Sequence, residues 1–279
     1  MCRNSPTFRS AAPGARALAA LAGLLLPLAA VAGEPTHGRS ADDLDMEKLL
    51  ETAEVVRIED IGEGITKPRR LTLKDGDRQV RAVFKTIDVD SNEISYTTHF
   101  ETSFSDRYVY EVAAYRLDRL LGLRLVPVTV IRTVDGVRGS AQLWIDDVIS
   151  MQEAMDHGMA PRDEARLDYN MMLMSVLDGL IHNVDRNFTN ILVQPQTDAF
   201  HLIDHSRAFR TYKALPRWLE EHDVPLPEDL ARRLRALDLE TLQATLGDLL
   251  HKNQIKPILK RRDLLVENLT ERGLMPGSG

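Results

Sequence analysis

Cysteine is nearly absent from this chain: of 279 residues only Cys2 carries a thiol. Lying ahead of an apolar run and not behind it, Cys2 is not placed as a lipid-anchored cysteine. Beyond it there is no residue for a disulfide or a cysteine-ligated metal, so the fold must stand on its core alone. Excess positive charge is missing too. The chain has 42 acidic against 35 basic residues and a formal net charge of −7, which disfavours nucleic acid as a partner. Internal repeats and low-complexity tracts are also absent. With 43% hydrophobic and 28% charged residues, the chain has ample core for one two-lobed domain or two small ones.

A full-length membrane span is lacking as well. The longest apolar run, Ala17 to Ala32, is 16 residues, short of the roughly 20 that a bilayer requires. Arg3, Arg9 and Arg16 precede it, no acid interrupts it, and it ends in Ala30-Val31-Ala32, a small-x-small cleavage pattern. Residues 1–32 therefore read as a secretory signal peptide, which places the mature chain outside the cytoplasm; an uncleaved anchor is the alternative. Cleavage would remove three arginines and leave 32 basic and 42 acidic residues, a net charge of about −10.

Texture changes near residue 150. After an N-terminal extension, 33–54, the stretch 55–148 is built from short β-branched segments, with Asp75-Gly76 and Asp135-Gly136 as hairpin turns. One helix interrupts them, expected from about Ser105 to Leu121, with Ser105 or Asp106 as its cap and Gly122 as its stop. Its apolar positions Val109, Val112, Ala113, Leu117, Leu120 and Leu121 recur at helical spacing. From 149 to 279 the pattern is mainly helical. Leu167, Met171, Met174, Leu177 and Ile181 form a core stripe, and two short strands are expected at Ile191 to Val193 and Phe200 to Ile203. The expected architecture is α+β: a small β-rich lobe with one helix, joined near Asp146 to Ser150 to a larger helical lobe.

Chemistry enters through the stretch "HNVDRNFTNILV", residues 182–193, between a long helix and a short strand. Asp185 precedes Asn190 by five residues, the separation of base and metal ligand in kinase catalytic loops. Asp204, in "FHLIDHSRAF", ends the second short strand. An Asp and an Asn on one loop plus an Asp on the adjacent hairpin can converge oxygen ligands on Mg²⁺, a hard cation that takes a few carboxylates plus phosphate oxygens. Upstream, "VRAVFK" ends a strand on Lys85, a cation able to reach nucleotide phosphates, and Glu111 in the helix could hold it by an ion pair. Gly62 and Gly64 in "IGEGITKP" suit close backbone approach to phosphate, or merely a hairpin. Each signal is weak alone, and their order along the chain carries the reading. Arg186 is expected to tether the loop by charge-assisted hydrogen bonds, and His182 to sit at a helix C-terminus.

"VDRNFTNILV" with "FHLIDHSRAF" resembles the catalytic and metal-binding loops of the phosphatidylinositol 3- and 4-kinase catalytic domain, where D-R-H-x-x-N precedes a hairpin and a second Asp motif. "YEVAAYRLDRLLGLRLVPVTVIR", residues 110–132, is similar to the helix and strand of the secretory-pathway kinases, the Golgi casein kinase and xylosylkinase family. The two likenesses together run from about Ile58 to Phe209. They imply a protein-kinase-like two-lobed fold and an ATP-dependent transfer of a phosphoryl group to a hydroxyl of a protein, sugar or lipid acceptor, with Mg²⁺ or Mn²⁺. Carried over residue by residue, they imply Asp185 as catalytic base, Lys85 and Glu111 at the nucleotide phosphates, and Asn190 and Asp204 as metal ligands. The chain departs from both families at Asn187, where they carry His. That departure keeps a pseudokinase or nucleotide-binding module open as the alternative, beside nucleotidyl transfer by the same residues. Lys252, Lys256 and Lys260, with Arg261 and Arg262, read as a solvated helix face, an acidic substrate or membrane surface being the other reading.

Overall fold

The computed structural model describes residues 38–62, 67–91, 94–95, 100–101, 104–216 and 222–277. The expected signal peptide and Gly64 lie outside these residues. Helix α1, Ala41–Thr52, opens on a capping box: the Asp43 N–H donates to the Ser40 hydroxyl at 3.1 Å while the Ser40 N–H donates to the Asp43 carboxylate at 2.8 Å. It lies in the stretch that the sequence reading left as an extension. Leu49 and Leu50 are buried and α1 packs against the strand at Thr129–Val134, so this helix is part of the first lobe's core.

That lobe is a five-stranded antiparallel sheet. Its strands are β1 (Glu54–Asp60), β2 (Arg69–Asp75), β3 (Arg78–Lys85), β8 (Thr129–Val134) and β9 (Val137–Leu143), in the order β1-β2-β3-β9-β8. Both expected hairpins form. Asp75 pairs with Arg78, and Asp135 and Gly136 take φ of 51° and 78° in a two-residue turn whose handedness suits the strand twist. Between β3 and β8 come the pairs β4 (Asp88–Ser91) with β7 (Phe104–Arg107) and β5 (Ile94–Ser95) with β6 (Phe100–Glu101), then helix α2 (Tyr108–Leu121). The helix starts three residues later than expected because Ser105 and Asp106 are spent on β7. Its N-cap is Arg107, with no side-chain cap bond, and Gly122 ends it at φ 73°, a left-handed turn that glycine adopts without strain. α2 is buried on nearly every side, Glu111, Asp118 and Arg119 included, so it acts as the central pillar between sheet and second lobe.

The second lobe begins with the three-stranded sheet β10 (Ile149–Ser150), β11 (Ile191–Gln194) and β12 (Ala199–Leu202), so the expected strand pair gains a partner from the inter-lobe joint. Its helices are α3 (Met151–Asp156), α4 (Glu164–Ile181), α5 (Glu228–Ala236), α6 (Leu239–Leu246) and α7 (Lys252–Glu271). The methionine stripe is core as expected, although burial widens from Met172 onward to the whole circumference of α4. Pro257 lies inside α7. Tertiary anchoring offsets the lost backbone bond: buried Arg261 donates through Nε to the Leu180 carbonyl at 2.7 Å and through Nη1 to the Arg210 carbonyl at 3.1 Å. Lys252, Lys256 and Lys260 are exposed and Arg261 is not, so the expected basic face ends before it. No helix among the described residues is long and apolar enough to cross a membrane.

Candidate active site

Alternation along β3 sends Ala82 and Phe84 into the core and leaves Lys85 on the other face. Its Nζ donates to Glu111 Oε1 and to Asp204 Oδ1, both at 2.7 Å. Three residues distant in sequence, expected to serve one site, thus meet at one ammonium group. Burial by itself would push Lys85 down, but the two carboxylates outweigh it and hold the ammonium well above the ordinary lysine range. Burial likewise would raise Glu111, and the charge of Lys85, helped by the adjacent His205, instead keeps it below the usual carboxylate range. Asp204 sits at φ 59°, a conformation Asp tolerates better than most residues, and Ser206 donates its hydroxyl to Asp204 Oδ1 at 3.3 Å.

The loop carrying Asp185 is organised from behind. α4 ends in a left-handed cap at His182, φ 48°, whose ring Nδ1 lies 3.0 Å from the Ala214 carbonyl. One turn earlier the fully buried Asp178 accepts from Arg186 Nε at 2.8 Å, from Arg186 Nη2 at 3.1 Å and from Asn183 Nδ2 at 3.0 Å. Arg186 Nη1 also donates to the carbonyls of Asn190 and Ile203, both at 2.9 Å. Arg186 is therefore the tether that was expected, joining helix, loop and the residue after β12 through four hydrogen bonds to oxygen and one to the His205 ring. Asn183 Oδ1 accepts from the Asp185 N–H at 3.1 Å, and Asn190 Nδ2 donates to the Asp185 carbonyl at 3.2 Å. The Asp185 carboxylate itself remains 39% exposed, 3.6 Å from Arg207 Nη1.

Asn187 has a local task. Its Oδ1 accepts from the Thr189 N–H at 2.9 Å and caps the short 3-10 turn Phe188–Asn190. Gly62, at φ 75°, follows β1 with nothing within 4 Å of where a Cβ would stand. Among the described residues its backbone conformation, and no close approach, is what calls for glycine there.

The donor set fits a hard divalent cation. Asp204 offers a carboxylate, and since the Asn190 amide nitrogen is occupied by the Asp185 carbonyl, its oxygen is the donor left. The Asn190 carbonyl accepts from the Ile203 N–H at 3.1 Å, which seats Asn190 next to the strand end bearing Asp204. A further carboxylate, Asp106, stands beside this group: Oδ1 is buried without a hydrogen-bond partner among the described residues. Burial first, and then the nearby charge of Asp204, raise its pKa, while the Ser206 hydroxyl opposes the shift. Asp106 and His205 were missed by sequence reasoning as site residues. Asp106 had been offered as a helix cap, and neither stands in a motif whose spacing would have singled it out.

The sequence pattern defining the family "Golgi casein kinase, C-terminal, Fam20" matches residues 39–149. This stretch contains Lys85 and Glu111 and ends before Asp185, Asn190 and Asp204. A hydra Fam20 structure solved with sugar superposes with a TM-score of 0.63 at 16% identity, covering 84% of this chain and 90% of that one. The fold is that of the Golgi casein kinases. A Golgi casein kinase crystal structure superposes at 0.60 with 18% identity over 86% of this chain and 78% of the other. A second, with Mn and ADP bound, gives 0.59 at 18% identity over 84% and 77%. No curated protein is similar enough in sequence to count as a relative. The likeness to the Golgi casein kinases is thus borne out in the family match and in the atypical-kinase fold, and the matched stretch includes the 110–132 segment on which it chiefly rested.

Proposed function

We propose that this chain transfers the γ-phosphoryl group of ATP to a hydroxyl of a protein or sugar acceptor outside the cytoplasm. The observation that carries this reading is the meeting of Lys85, Glu111 and Asp204 at 2.7 Å contacts, next to a loop that presents an exposed Asp185. Lys85 would bind the nucleotide phosphates, held in place by Glu111, while Asn190 and Asp204 would hold Mn²⁺ or Mg²⁺, which neutralises phosphate charge when bound. Asp185 would orient the acceptor hydroxyl and take its proton as the oxygen forms its bond to phosphorus and the bond to ADP breaks. Catalysis on this scheme is positioning plus electrostatics. The acceptor class draws on the names of the relatives, one a casein kinase and one solved with sugar, and the location on the leader-like residues 1–32.

The test is incubation of the purified chain with Mn²⁺, radiolabelled ATP, and casein or a simple glycoside. Transfer to either, lost in Asp185→Ala, is the expected result. The capping role of Asn187, at the position where relatives carry His, motivates a second reading as a nucleotide-binding module without turnover. A melting shift with Mn–ADP that is abolished by Asp204→Ala, without transfer to any acceptor, selects that second reading. Absence of any shift removes both.

A further inference from the structure

His205 follows Asp204 directly, is fully buried, and has no part in the chemistry above. Its backbone N–H donates to Glu111 Oε2 at 3.0 Å. On the ring, Nε2 lies 3.0 Å from Arg186 Nη2, and Nδ1 lies 3.4 Å from the same Glu111 oxygen, close enough for electrostatic contact but not aligned as a hydrogen bond. A guanidinium only donates, so Nε2 accepts and the tautomer assigned to the ring carries its proton on Nδ1, facing Glu111. Glu111 is then divided between two holders: one oxygen on Lys85, the other on His205. A continuous line of contacts runs from Asp178 on α4 through Arg186 in the catalytic loop to His205, Glu111 on α2, and Lys85 on β3. Each interior member has 3% or less of its side chain exposed.

We propose that His205 is a positioning residue that fixes Glu111, and through it Lys85, to the catalytic loop. In this chain the helix carboxylate would be set by a side chain beside the metal-site aspartate, so the phosphate-binding lysine is held in place before nucleotide arrives. The inference rests on the phosphotransferase reading and adds a residue to it. One Glu111 oxygen accepts from Lys85 and the other from the His205 backbone N–H, with the imidazole held against it by Arg186, which limits the rotamer freedom that an ion pair to a flexible lysine alone would leave.

The experiment uses the full chain in wild-type, His205→Ala, His205→Gln and His205→Met forms. It measures the Kd for Mn–ADP by calorimetry, KM for ATP and kcat separately, and the melting temperature. Loss of the holder should raise Kd and KM by about tenfold, roughly 1.4 kcal/mol, in the Ala and Met variants, with kcat changing much less. Gln can accept from Arg186 through its oxygen and donate to Glu111 through its nitrogen, so it should return Kd and KM to near the wild-type values. A lowered melting temperature in Ala and Met with unchanged Kd and KM would mean a structural role only and overturns the proposal. Should the Ala variant fail to fold, the Gln and Met pair decides, with equal affinities overturning it. A wild-type chain that binds no Mn–ADP defeats the phosphotransferase reading itself and this inference with it, whereas wild-type binding matched by the Ala variant defeats this inference alone.

Discussion

Two halves of the site face opposite environments. Asp178, Arg186, His205 and Glu111 expose at most 3% of their side chains, whereas Asp185 and Asp204 expose 39% each. In the buried half nearly every charge meets an opposite charge or a fixed dipole, because an ion left unpaired there would lose its hydration without compensation. In the open half water screens the charges, so their pairing contributes little to folding and the groups remain available to a substrate. Scaffold and chemistry are therefore separable. The first can be broken only at the expense of the fold, the second with the fold intact.

Substitutions sharpen that contrast, ordered here by their effect on folding. Asp178→Ala strands the Arg186 guanidinium in the interior and should lower stability by about 3–5 kcal/mol. An unfolding free energy, from denaturant titration, that falls by less than about 1 kcal/mol would erase the distinction between the halves. Acid and alkali attack the same region from two sides. Glu111 is held below its ordinary value of 4.5, so its contribution is complete above that pH and drains away as the pH falls below it. Lys85 is held above its ordinary 10.5, so its contribution is complete below that pH and is lost as the pH rises past it. Melting temperatures should consequently hold a plateau between about pH 5 and 10, and the acid arm should flatten in Glu111→Gln. Asn187→Ala removes the cap of the short turn and should cost about 1 kcal/mol, read in the same denaturation assay. Asp185→Asn should change stability by less than about 1 kcal/mol and yet reduce transfer at least a hundredfold. Retained transfer would remove Asp185 from the role of base.

Much of this molecule was legible before folding was considered. Asp135-Gly136 specified its hairpin through turn chemistry, Gly122 closed α2, and the helical spacing of Val109, Val112, Ala113 and Leu117 located the central helix. Lys85, Glu111, Asp185, Asn190 and Asp204 stood out by their order along the chain. Such signals are local, or are strings of local signals, and residue type is enough to produce them. The start of α2 was misplaced because Ser105 and Asp106, good cap residues by type, were claimed by a strand pairing with Asp90 and Val89. The packing of α1, the continuity of α7 through Pro257 and the burial of Arg261 likewise depended on partners far along the sequence.

Composition, turn chemistry and motif order thus determined the two-lobed plan and the five residues to look at. Only the tertiary structure decided that Lys85 is shared by two carboxylates, that Asn187 caps a turn, and that His205 closes the line from catalytic loop to helix. The physical reason is distance: Glu111 and His205 are 94 residues apart, and no periodicity or propensity encodes a contact of that reach. It exists because two lobes bury their facing polar groups together, and each buried group must find whichever partner the packing brings within hydrogen-bonding range.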